Sequence, residues 1–95
     1  MNTINNIYTK MASQNTIAEL KSNIADLENI NNIKPSHAAE MLNCIIDTID
    51  ELFEVYFMRN TTICKCLETA KGLLFDENLD ELIVELKKVL ELITM

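Results

Sequence analysis

The feature that most restricts this chain is a run of seam positions recurring in alternating steps of four and three without a slip. It passes through Leu42, Ile46, Ile49, Phe53, Tyr56, Asn60, Ile63, Leu67, Ala70 and Leu74. The same rhythm appears upstream at Ile17, Leu20, Ile24 and Leu27, and downstream at Leu79, Leu82, Leu86, Val89 and Ile93. A mean spacing of about 3.5 residues keeps one side of a helix turned toward its partners, and such stripes pack knobs-into-holes at about +20°. Ile45, Leu52, Ile83 and Leu90 widen the stripes beyond a two-stranded zipper, which suits the interior of a bundle.

Turn chemistry points the same way. The 95 residues include one Gly and one Pro, whereas ordinary usage is roughly 7% and 5%. Sheets of this size need several turns that draw on those residues, and helices joined by short polar links do not. The expected fold is therefore all-α: one domain, residues 1–95, forming a compact antiparallel bundle of about four helices near 16–30, 36–58, 62–75 and 78–93.

Local signals set these limits. Ile4, Ile7, Tyr8 and Met11 fall on one helical face, so residues 1–14 read as a short helix or a docking arm. That stripe does not continue in phase into Ile17 and Leu20, which places a break at Ser13-Gln14-Asn15. Thr16-Ile-Ala-Glu19 matches a capping box for the first long helix. Lys34-Pro35 ends it, because a residue before Pro avoids the α region. Pro35 or Ser36 then starts the next helix, Pro as a first-turn residue or Ser as the cap. Met58-Arg59-Asn60-Thr61-Thr62 reads as a turn capped by Asn60 or Thr61, since successive poor helix formers are costly in mid-helix. The alternative is an extended coiled-coil-like hairpin with one helix over 36–75, in which Asn60 is a buried polar seam residue that fixes register. Asp76 or Asn78 caps the last helix.

The second helix carries the most distinctive surface. Opposite its apolar stripe lie Glu40, Asp47, Asp50, Glu51 and Glu54, with no base among them. The formal charge of −7 is unevenly placed, since residues 1–35 balance to zero and all of the excess falls after them. Such a chain is poorly suited to grip a phosphate backbone or an anionic membrane surface, and its natural complement is a basic protein. Solubility alone also accounts for acidic helix faces.

Chemistry-bearing motifs are sparse. Cys64-Lys65-Cys66 sets two thiols about 200° apart on a helix, which cannot share a tetrahedral site. Together with Cys44 they read as small apolar residues, buried or partly buried. His37 stands in a first turn with no partner in a recognisable spacing. The acids lack the glycine-bearing loop of an EF-hand and the Glu-x-x-His of di-iron bundles. Gly72 lies within a helix pattern, where it would permit close helix approach. The expectation is a protein that is not an enzyme and holds no cofactor or metal. Three Cys, no basic and apolar leader and no long apolar run suggest a reducing, cytoplasmic setting.

Two functions follow from these readings. The first is a small acidic inhibitor, immunity- or antitoxin-like, that binds a basic partner through Glu40, Asp47, Asp50, Glu51 and Glu54. The second is a helical assembly protein, such as a secretion-type chaperone, coiled-coil adaptor or viral accessory subunit, that binds through its apolar seams. A homodimer is compatible with the latter.

Overall fold

A computed structural model describes residues 12–94, and the expected N-terminal helix or arm lies outside them except for its last three residues. The helices are α1 (Gln14–Glu28), α2 (Pro35–Tyr56), α3 (Thr61–Phe75) and α4 (Leu79–Thr94), with a 3-10 turn at Ile30–Asn32. Each helix packs on its neighbours in the chain, and α4 closes the ring against α1. Links this short force an up-and-down, antiparallel arrangement. The result is an elongated four-helix bundle of 49 × 22 × 20 Å.

The breaks fall where the local chemistry asks for them, with corrections. Helix α1 starts at Gln14 rather than Thr16. Its cap is Ser13, in extended backbone, whose Oγ accepts the Thr16 N–H at 3.1 Å. Thr16 is buried one turn inside the helix, so the expected capping box at Thr16–Glu19 does not form. Pro35, not Ser36, opens α2: Lys34 is the cap residue and makes no side-chain cap bond. Proline loses nothing at a first-turn position where the missing N–H has no helical acceptor.

Asn60 decides between bundle and long helix. It sits in extended backbone as the α3 cap, and its side-chain oxygen accepts the Ile63 N–H at 3.0 Å. The continuous helix over 36–75 is therefore excluded, and Asn60 is exposed rather than buried in a seam. Arg59 N–H bonds back to the Tyr56 carbonyl, with Phe57 at φ −56° and ψ 128° and Met58 at φ 64°. That is a type II turn, which ordinarily wants Gly at its third position.

A second left-handed residue, Glu77 at φ 58°, ends α3. Asn78 N–H reaches the Leu73 carbonyl and Glu77 N–H the Leu74 carbonyl. This is the Schellman pattern, again without its usual glycine. The chain's one glycine is elsewhere. Gly72 is exposed, and an added Cβ there would meet nothing within 4 Å, so it serves no close helix approach.

The core is aliphatic. In α3 and α4 it follows the expected stripe: Ile63, Leu67, Ala70 and Leu74 face Leu82, Leu86, Val89 and Ile93, with Leu79 half-buried. In α1, Leu20, Ile24 and Leu27 are buried, joined by Thr16 and Asn23, while Ile17 is half-buried. In α2 the buried line is Met41, Ile45, Thr48, Ile49, Leu52 and Tyr56. Leu42, Ile46 and Phe53, expected at the seam centre, are only half-buried on its edge. The inward face is turned by roughly 70° from the expected one, as judged at 100° per residue.

A polar contact accounts for that rotation. The Asn23 amide of α1 donates to Thr48 Oγ1 of α2 at 2.8 Å, and Thr48 Oγ1 donates to its own helix at the Cys44 carbonyl at 3.0 Å. Both residues are under 10% exposed. Thr48 faces α1 only if the helix turns away from the Leu42–Phe53 line. Buried polar groups satisfied in this way cost little and fix register, and none is left unpaired among the described residues.

Candidate functional site: an acidic groove between α1 and α2

The same contact lines a groove of about 490 Å³ between α1 and α2. Helix α1 contributes Glu19, Ser22 and Asp26 to its wall. Helix α2 contributes Asp47, Glu51, Cys44 and Met41. Glu19 and Asp26 are seven residues apart and therefore project in nearly the same direction; Asp47 and Glu51, four apart, do likewise from the opposite wall. Four carboxylates converge on the groove, and among the described residues no base lines it.

The expected strip is thus divided. Glu40, Asp47, Asp50, Glu51 and Glu54 are all exposed on α2, but only Asp47 and Glu51 reach the groove. Asp50 points to the other side, where Lys71 of α3 pairs with it at 2.9 Å. Both side chains are well exposed, so that pair contributes about 0–1 kcal/mol. Glu40 and Glu54 are exposed and do not line the groove. Glu51 is anchored: Thr16 Oγ1 donates to its Oε1 at 3.0 Å, and Ser13 Oγ lies 2.9 Å from Thr16 Oγ1. The α1 cap, one buried threonine and the groove carboxylate form one chain of hydrogen bonds.

Glu19 and Asp26 were missed by weighing charge only as a sum over residues 1–35. The signal was present in the polar stripe Glu19-x-x-Ser22-Asn23-x-x-Asp26, which has its own helical spacing opposite Ile17 and its partners.

The cysteines divide too. Cys64 and Cys66 are half-buried as expected, but Cys44 is exposed in the groove wall. Burial pushes the Cys64 thiol up, helped by Glu68. Burial also pushes up the Cys66 thiol, with Glu85 adding to the effect. Both thiols are thereby poor nucleophiles at neutral pH. The Lys88 ammonium, hydrogen-bonded to Glu85 at 3.1 Å, is also held above its ordinary value. His37 is exposed. Among the described residues no three His, Cys, Asp or Glu side chains gather as a metal site. None of the described helices is long and apolar enough to cross a membrane.

A second surface lies at the α2–α3 corner. Phe53, Phe57, Met58, Thr61 and Cys64 line a shallow, largely apolar hollow of about 260 Å³. Phe57 is 56% and Met58 87% exposed. The Phe53 and Phe57 rings pack against each other with centroids 5.7 Å apart.

Comparison with protein-family models, curated protein sequences and solved structures yields no match to this chain.

Proposed function

We propose that the chain is a non-enzymatic protein-binding module, a small acidic inhibitor of immunity or antitoxin type, that receives a basic segment of a partner in the α1–α2 groove. One observation carries this reading: Glu19, Asp26, Asp47 and Glu51 converge from two helices on a groove that no base lines among the described residues. The Asn23–Thr48 contact holds the two walls in fixed register, so the carboxylates are positioned before binding. Opposed charge would speed encounter more than it deepens affinity, and the effect would fade with salt because the screening length is about 8 Å at physiological ionic strength.

The test uses the full chain and a Lys/Ala-repeat helical peptide as a basic probe. The expected result is NMR shift changes concentrated at Glu19, Asp26, Asp47 and Glu51, weakening about tenfold or more from low to physiological salt. Asp47→Lys with Glu51→Lys should remove the response while the melting transition persists. Shifts spread equally over the acids at the start of α4, Asp80 and Glu81, would refute selective capture by the groove.

The assembly reading is supported by a different surface from the one the heptads suggest. The seams are filled within the chain, whereas Phe57 and Met58 remain exposed at the α2–α3 corner.

A further inference from the structure

We propose that the hollow at the α2–α3 corner is the docking surface for the chain's own residues 1–11. The evidence is the point at which that segment joins the bundle. Ala12 N–H donates to the Tyr56 hydroxyl at 3.4 Å, so the first described residue lies beside the last residue of α2. The next residues along α2 are Phe57 and Met58, the most exposed large apolar side chains of that turn. The bundle is about 22 Å across. Eleven residues span about 16 Å as a helix and up to about 36 Å extended, so every part of the hollow is within reach.

The chemistry of the segment matches the surface. Ile4, Ile7, Tyr8 and Met11 recur at helical spacing, and the segment contains no acid. The hollow offers Phe53, Phe57 and Met58, and the charges of Lys65 and Glu68 in its lining cancel, so the match is an apolar one. A tether this short gives an effective concentration in the millimolar range, so even a weak apolar contact is populated. A second copy of the chain must bind at its bulk concentration and lacks this advantage. Met58 adds a structural argument: it holds a left-handed φ of 64° at a turn position that suits glycine, and its side chain projects outward. An exposed methionine in that place costs conformational energy that a contact would offset.

Limited trypsin digestion of the full-length protein tests the idea through cleavage after Lys10. Phe57→Glu with Met58→Glu should raise that cleavage rate by about tenfold or more, because proteolysis follows the population of the undocked segment. Phe75→Glu, an equally exposed residue at the opposite end of the bundle, should leave it unchanged. An unchanged rate in the Phe57/Met58 double variant overturns the proposal. So does protection that rises with protein concentration, which would assign the hollow to a second copy. Independently of those variants, Ile4→Asp with Ile7→Asp should shift the Met58 methyl NMR signal. A Met58 signal that does not move would also overturn it.

Discussion

The α3–α4 half and the α1–α2 half bury similar helices by different means. Between α3 and α4 the seam is wholly apolar, and its inward residues are those that a simple 4-3 count selects. Between α1 and α2 the buried set includes Thr16, Asn23 and Thr48, and the inward face of α2 is turned away from the apolar count. The groove, the anchored Glu51 and the exposed Cys44 all lie on the second half. An apolar seam supplies stability with little regard to exact rotation. A seam with hydrogen bonds gives up some of that stability, and in return it sets one rotation and hence one surface.

Breaking the apolar half should have the largest effect. Leu67 and Leu86 are fully buried, and truncation of either to Ala should cost about 2–5 kcal/mol in urea unfolding, a large share of the roughly 5–15 kcal/mol that keeps a small domain folded. A loss below about 1 kcal/mol would show that this half is loosely packed and the contrast false.

The polar half should respond to pairing rather than to size. Thr48→Val keeps the shape but leaves the Asn23 amide buried without its acceptor, at a cost of about 1–3 kcal/mol. Thr48→Val combined with Asn23→Leu should recover most of that loss, as a double-mutant cycle would read. The recovered protein should nevertheless bind the basic peptide less well, because the groove walls are then free to rotate. Additive losses in the cycle would mean that the contact does not set register.

The smallest effect sharpens the contrast on the outer face of α3. Gly72→Ala has open space for its methyl group and should raise stability by about 0.5–1 kcal/mol, seen as a higher melting temperature with no change in peptide binding. A destabilised variant would mean that Gly72 has a contact role after all.

These differences also explain what was legible beforehand. Helix number, the break at Asn60 and the seams of α3 and α4 were readable because each rests on local or periodic signals: a cap that answers an N–H three residues on, or aliphatic side chains at constant spacing. The cap of α1 was misplaced because Thr16 carries the same hydroxyl as Ser13, and only tertiary contact with Glu51 shows which one enters the core. The rotation of α2 was hidden because Thr48 counts as polar until Asn23 is opposite it. The groove followed the same logic. Asp47 and Glu51 were found on one helix, but their partners Glu19 and Asp26 depend on which face of α1 meets α2.

The ring order of the helices has a dynamic consequence. Three of the four packed pairs are neighbours in sequence, which favours rapid folding, while the α4–α1 closure spans the whole chain. On the described surface, α1 is fastened to α4 by one exposed ion pair, Lys87 to Glu28 at 3.0 Å, and by the side chains beneath it. The least costly partial opening therefore lifts α1 and leaves α2–α4 associated. In native-state hydrogen exchange, the amides of α1 should exchange through this opening before those of α3 and α4. A partner that clamps both groove walls would slow them selectively, so occupancy could be read from exchange rates in α1 without labelling the partner.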